Sequence, residues 1–167
     1  MGLDASAVKS RYDAEPPKSV GNSITFPHDL QGRQEICAGL LALSDKVGSR
    51  LRKHGLYCTT VQIQIKDPYL RTISRQQKLT APTNVTKVIY DAAVAIAEKS
   101  WTMSAPVRLL SVTGTNLTDR CAEQMMLIDD TADDKLKNAK LDHAMDSIRS
   151  RYGKDAISFG RLMKIKD

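Results

Sequence analysis

Lysine and arginine are the residues of this chain whose distribution points most directly to a chemistry. The 167 residues include 25 Lys and Arg against 19 Asp and Glu, a formal net charge of +6. Residues 1–118 carry 15 of these cations and 9 acids, whereas residues 119–167 carry 10 of each. Cationic side chains bind phosphates by releasing condensed counterions, so the first part of the chain is predicted to bind a polyanion. The balanced second part needs a different role.

No grouping of nucleophilic, acid–base or metal-binding residues has a spacing that indicates catalysis. The three histidines fall in separate elements and lack the HExxH or CxxC context of a metal site. Asp129 and Asp130 stand close to Asp133 and Asp134, but the latter two open a predicted helix, where the helix dipole favours acids. P-loop, GxGxxG and GxSxG motifs are absent. We therefore predict no catalytic residue, no metal site and no cofactor in this chain.

The apolar pattern of residues 18–118 predicts six elements in the order β-α-β-β-α-β. Alternation predicts strands over 18–26, 59–66, 71–80 and 107–113, and helical spacing predicts helices over 31–54 and about 83–101. Asp29 is the predicted N-cap of the first helix, Thr83 or Asn84 that of the second, and Gly55 the residue that ends the first. The compact α+β solution for this order is a four-stranded antiparallel sheet with both helices on one face.

The other face of this sheet is predicted to stay open and polar. Thr72, Ser74, Gln76 and Lys78 share one side of the third strand, and none of them is apolar. Strand amides with short hydroxyl and cationic side chains suit sequence-independent contact with phosphates. A plain solvated sheet face is the alternative, because antiparallel sheets often have one. The candidate phosphate-binding residues are Lys18, Ser19, Thr72, Ser74, Arg75, Lys78 and Arg108.

The flanking segments differ from this domain in character. Residues 1–17 are polar, end in Pro16-Pro17 and are predicted to be a linker. Residues 119–131 are an irregular tail in which Gln124 precedes an apolar island, Met125–Ile128. Such an island either tucks against the domain or docks in a pocket on a partner. Residues 132–167 are a helical extension whose predicted apolar stripe is Leu136, Ala139, Leu141, Met145, Ile148 and Tyr152.

The cellular compartment is predicted from the cysteines and from the absence of apolar runs. Cys37 and Cys58 belong to an odd set of three cysteines without CxxC spacing, and we interpret both as core residues of a protein in a reducing cytoplasm. The chain shows no signal peptide and no run of 18 apolar residues, so no membrane partner is expected.

Four short sequence segments carry a family resemblance: Pro17–Gly21, Asp29-Leu30, Thr72–Arg75 and Pro106–Leu110. In these segments and in the order of its elements, the stretch from residue 17 to residue 118 resembles the little-finger domain of Y-family translesion DNA polymerases, of the DNA polymerase IV and UmuC type. The resemblance implies a sheet that lies in the major groove of primer–template DNA and contacts backbone phosphates. It implies this role for Lys18, Ser19, Thr72, Ser74, Arg75 and Arg108.

The same resemblance assigns the remaining segments. Gln124–Ile128 resembles the peptide with which this family docks on the bacterial sliding clamp, although Ile128 stands where Phe is usual and 39 residues follow it. The candidate clamp-binding residues are Gln124, Met126, Leu127 and Ile128. In these enzymes magnesium is held by carboxylates of an N-terminal palm. The chain is therefore expected to be the C-terminal fragment of an error-prone lesion-bypass polymerase, inactive alone.

Two other function classes fit the sequence less well. A non-enzymatic ferredoxin-like domain that regulates or binds RNA would carry aromatic residues on its central strands. The predicted strands over 61–65 and 73–79 contain none, which argues against RNA binding. A hydrolase is disfavoured because no nucleophile has a base at local spacing.

Overall fold

A computed structural model describes residues 17–119 and 131–160. The elements are β1 (Ser19–Leu30), α1 (Gly32–Lys53), β2 (Tyr57–Lys66), β3 (Thr72–Thr83), α2 (Thr86–Ser100), β4 (Val107–Thr118) and α3 (Thr131–Tyr152). The strands form a four-stranded sheet in the order β1-β4-β2-β3, and every neighbouring pair is antiparallel. The predicted α+β class and element order are confirmed.

The core lies between the sheet and the helices α1 and α2. Residues of β2 and β4 that face the helices are fully buried, among them Val61, Ile63, Ile65, Leu110 and Val112. They meet the apolar stripe of α1, formed by Ile36, Leu40, Leu43, Val47 and Leu51. Burying one such side chain contributes about 1.5–3 kcal/mol, so this layer supplies the main stabilisation of the domain.

Two of the three cysteines lie in this interior, as predicted. Cys37 on α1 and Cys58 on β2 are both buried and unpaired. Burial raises the pKa of the Cys58 thiol to about 11, which keeps it protonated and unreactive at neutral pH.

The first helix ends where the sequence predicts. Gly55 follows the C-cap His54 and takes φ +64°, a left-handed conformation that favours glycine. The Leu56 N–H donates to the Leu51 carbonyl at 2.9 Å, and the Gly55 N–H donates to the Arg52 carbonyl at 3.1 Å. This hydrogen-bond pair is a Schellman motif, and it turns the chain from α1 into β2.

Both predicted N-caps are wrong. The first strand continues past Phe26 to Leu30, so Asp29 lies within β1 and Gln31 caps α1. The Gln31 N–H donates instead to the Glu35 carboxylate at 2.7 Å. At α2 the N-cap is Val85, because a carboxylate from α3 satisfies the helix start in place of a local hydroxyl.

The third helix is folded onto α1 and α2, but not through the predicted stripe. Leu136, Leu141 and Tyr152 are exposed, and of that stripe only Met145 is buried. The carboxylate of Asp142 is buried beside Met145. The docked surface of α3 is therefore largely ionic, which an apolar pattern cannot reveal. Within the described ranges, no helix is long and apolar enough to span a bilayer.

Candidate nucleic-acid interface

The sheet face that α1 and α2 leave uncovered, called the open face below, is built from alternate residues of all four strands. Across β2 and β3, the register sets Thr60 opposite Lys78 and Lys66 opposite Thr72. Residues directly opposite one another in an antiparallel pair point to the same side of the sheet. Along β2 these positions alternate with the buried Val61, Ile63 and Ile65.

Hydroxyl, amide and ammonium groups make up nearly all of the open face. By register, its strand positions are Ser19, Gly21, Ser23, Thr25, Thr60, Gln62, Gln64, Lys66, Thr72, Ser74, Gln76, Lys78, Leu109, Ser111, Thr113 and Thr115. None of these positions holds Asp or Glu, and two hold lysine. The Gln62 side-chain amide donates to the Ser74 hydroxyl at 2.8 Å, which orients donors across the strand pair. A face with cations and no carboxylate attracts polyanions.

The structure brings four of the seven sequence-predicted residues onto this face. They are Ser19, Thr72, Ser74 and Lys78. Lys18 is exposed immediately before β1.

The two predicted arginines lie elsewhere. The register sets Arg75 opposite Ile63, so its side chain starts on the helix side of the edge strand, and it donates to the Ser74 carbonyl at 2.8 Å. Arg108 lies at the start of β4, and its guanidinium donates to the Asp29 carboxylate at 3.4 Å. Contact of either arginine with DNA stays a prediction.

Several members of the open face were not among the predicted site residues. On β2 they are Thr60, Gln62, Gln64 and Lys66, and on β4 they are Ser111, Thr113 and Thr115. The signal for the β2 set was present in the sequence, because its polar residues alternate with Val61, Ile63 and Ile65. On β4, Thr115 lies beyond the predicted end of the strand at Thr113, and the central place of β4 in the sheet is a tertiary property that local alternation does not give.

A second charged cluster holds α3 on the helix layer. The Arg52 guanidinium on α1 is paired with Asp142 at 3.0 Å and with Asp146, and its side chain is 5% exposed. The Asp142 carboxylate also accepts the Thr86 N–H at 2.8 Å, so it caps the start of α2. Further along, Arg149 makes a two-point ion pair with Asp45 at 2.9 and 2.8 Å. These contacts join α3 to both other helices.

The pKa values in this cluster follow burial and ion pairing. Burial raises the pKa of Asp142, and the Thr86 N–H and the charge of Arg52 offset this only in part. For Asp146, burial would raise the pKa, but the hydrogen bonds and charge of Arg52 outweigh it and hold the pKa below its ordinary value. The hydrogen bond to Asp45 raises the pKa of Arg149. The cluster is an ion-pair network in which burial and pairing shift the pKa values in opposite directions.

The predicted clamp-binding residues Gln124, Met126, Leu127 and Ile128 lie outside the described residues. In the chain they stand between the end of β4 and the start of α3. Among residues 17–119 and 131–160, no group of three or more His, Cys, Asp or Glu side chains could hold a metal ion.

Comparison with known families agrees with this geometry. Residues 17–127 match the model of the impB/mucB/samB family C-terminal domain. The chain belongs to this family. The match confirms its resemblance to the C-terminal region of Y-family polymerases.

Curated members of the family resemble the chain over nearly its whole length. DNA polymerase IV of Acetivibrio thermocellus is 39% identical over 165 residues, which cover 98% of this chain and 41% of that protein. DNA polymerase IV of Clostridium kluyveri is 36% identical over 98% of this chain and 42% of its own length. The chain thus spans about two fifths of the length of the relatives it matches.

Proposed function

We propose that residues 18–118 are the DNA-gripping domain of a lesion-bypass DNA polymerase, and that the open face lies against the sugar–phosphate backbone of primer–template DNA. The acid-free composition of that face carries the proposal. Its relatives are named DNA polymerase IV, which supports DNA as the polyanion. The complete protein would extend primers past damaged template bases, with its metal ions held by residues outside this chain.

The chemistry of the open face favours DNA binding that does not depend on base sequence. Hydroxyls, side-chain amides and lysines contact phosphate oxygens, and such contacts fix position on the duplex but carry no sequence information. Lys66 lies on β2 and Lys78 on β3, and Thr72 and Ser74 of β3 supply further hydrogen-bond donors. Binding of this kind has a Kd on the order of 10⁻⁴–10⁻⁶ M at physiological salt.

The test is the salt dependence of duplex binding. The double variant K66A/K78A removes both open-face lysines and should lower the slope of log K against log salt by about 0.9 for each lost phosphate contact. The matched control is K46A/K99A, which removes two exposed lysines from α1 and α2. If both double variants lower the slope equally, bulk charge binds DNA and the open face has no special role. A salt-independent wild-type affinity would refute phosphate contact altogether.

We also propose that Gln124–Ile128 docks on the bacterial sliding clamp. The support is the sequence itself, in which Gln124 precedes Leu127 and Ile128 at the spacing of a short docking peptide. Its place between β4 and α3 would let the domain grip DNA while the peptide reaches the clamp.

Clamp binding is tested by titration with purified clamp. L127A/I128A should abolish binding, and Ile128→Phe should strengthen it. The control is L136A/L141A, because both leucines are exposed apolar residues of α3. Clamp affinity unchanged in L127A/I128A, or lost equally in the control, contradicts the assignment.

A further inference from the structure

The turn between β2 and β3 is a rigid projection at the end of the open face. The Asp67 carboxylate accepts the Arg71 backbone N–H at 2.8 Å and the Arg71 Nε at 2.7 Å. Two backbone hydrogen bonds close the same turn, from the Asp67 N–H to the Arg71 carbonyl at 3.0 Å and from the Leu70 N–H to the Asp67 carbonyl at 3.1 Å. Asp67 itself is only 5% exposed. Four hydrogen bonds therefore hold the conformation of this turn.

This turn presents two adjacent large apolar side chains to solvent. Tyr69 is 79% exposed and Leu70 is 71% exposed. Leu70 takes φ +65°, a left-handed conformation that glycine or asparagine would adopt at lower cost. Neither side chain stabilises the core, and Leu70 strains the backbone. A rigid turn that keeps both residues exposed is suited to contact with an apolar surface of a ligand.

The surroundings of the turn favour an anionic ligand. Lys66 and Thr72, the open-face residues nearest the turn, flank it on the two strands. The Arg71 guanidinium lies 5.6 Å from the centre of the Tyr69 ring. The single carboxylate of the turn, Asp67, is directed at Arg71. The outer surface of the turn is thus apolar, and the exposed Arg71 guanidinium and Lys66 at its base are the donors that an anionic ligand would meet.

Unpaired nucleotides combine the two properties that this surface would recognise. In a duplex the base faces are stacked on one another, so only groove edges and the backbone are accessible to a protein. An unpaired base offers its flat face to an aromatic or apolar side chain, and its phosphate offers a negative charge. One aromatic residue is too little to bind a single strand alone, but it would add to duplex binding on the adjoining open face.

We propose that Tyr69 and Leu70 stack against an unpaired base where the duplex on the open face gives way to single-stranded DNA, with Arg71 contacting the adjoining phosphate. This inference rests on the proposed DNA-gripping function. By this inference the domain recognises the primer–template junction in addition to binding its duplex.

The experiment compares three DNA probes by fluorescence anisotropy with the full chain: a blunt duplex, the same duplex with a short single-stranded extension, and that extension with abasic sites. The wild type should bind the probe with bases in its extension at least about fivefold more tightly than the other two, since stacking on one base corresponds to a factor of that size or more. The variant Y69A/L70A should lose this preference and keep its affinity for the blunt duplex.

Control variants separate stacking from general loss of apolar surface. Tyr69→Phe retains a ring and should retain the preference. Tyr152→Ala removes a ring from α3 that is 70% exposed, against 79% for Tyr69, and it should change nothing. Equal wild-type affinity for all three probes overturns the proposal. So does equal weakening of the blunt duplex by Y69A/L70A, which would place the turn on paired DNA. Failure of the proposed grip is distinct, because the wild type would then not bind the blunt duplex at all.

Discussion

Replacing Arg52 with Met should be among the most destabilising single changes in the helix layer. Its guanidinium bonds Asp142 and Asp146 of α3, the Asn84 carbonyl at 2.8 Å and the Thr86 hydroxyl at 3.3 Å. Methionine preserves most of the packing but leaves the Asp142 carboxylate, which is 4% exposed, without its cation. Removing one partner of a buried ion pair costs about 3–5 kcal/mol. Against a total stability of about 5–15 kcal/mol, this loss is large.

Urea unfolding of the full chain at neutral pH measures this cost as a lower midpoint. The matched control is Arg33→Met, which breaks the exposed pair between Arg33 and Glu98 and should leave the midpoint nearly unchanged. The triple variant R52M/D142N/D146N should recover much of the loss, because no charge then stays buried and unpaired. If R52M is as stable as R33M, the ion pairs do not hold α3 and the explanation is refuted.

Three further predictions test smaller features by the same unfolding assay. Folding lowers the pKa of Asp146, so its contribution to the free energy of unfolding is present above the ordinary Asp pKa and is lost as pH falls. Asp146→Asn should therefore cost about 2 kcal/mol at pH 7 and progressively less below about pH 4. A β-carbon on Gly21 would lie 2.6 Å from the Thr113 hydroxyl, so Gly21→Ala should cost about 1–3 kcal/mol of stability. Thr113→Ala should restore much of this loss, and an equal cost of Gly21→Ala with Thr113 or Ala at position 113 would contradict the clash. Among the described residues, Ser44 has the buried hydroxyl without a partner, so Ser44→Ala should stabilise by about 1 kcal/mol, and a lower midpoint would be the opposing result.

Local sequence patterns correctly predicted the structural features that depend on neighbouring residues. They failed where the hydrogen-bond partner comes from a residue far away in the sequence. Alternation in β2 and the glycine at position 55 are readable over a few residues, and both are confirmed. The cap of α2 is not readable in this way, since the acceptor for the Thr86 N–H is Asp142, which lies 56 residues further along the chain. Capping rules rank Thr83 and Asn84 above Val85 because they consider only local side chains.

The same limit explains the two surfaces of the domain. A period of two predicted the polar face of β2. On β3 the same period sets Arg75 on the opposite side from Thr72 and Ser74, so Arg75 did not fit the candidate face even by sequence. For α3, apolar spacing predicted a buried stripe, but residues of that stripe such as Leu136 and Leu141 are exposed. Its docked side carries Asp142, Asp146 and Arg149 at helical spacing, a charged pattern that also fits a solvated face.

The ion pairs of α3 also change what the net charge of the chain means. Arg52 counts towards the basic part of the sequence, yet α3 neutralises it within the fold. The Arg50 guanidinium donates to the Gly21 carbonyl, and Arg33 is paired with Glu98. What remains on the open face is a pair of lysines, Lys66 and Lys78. If the open face is the interface, log K for duplex binding should fall with log salt concentration at a slope of about 2. Further phosphate contacts at the ends of the face would raise this slope to about 4. If all six excess charges bound phosphates, the slope would exceed about 5. The slope therefore tests whether the placement of charge by the fold, rather than its sum over the sequence, determines how this domain holds DNA.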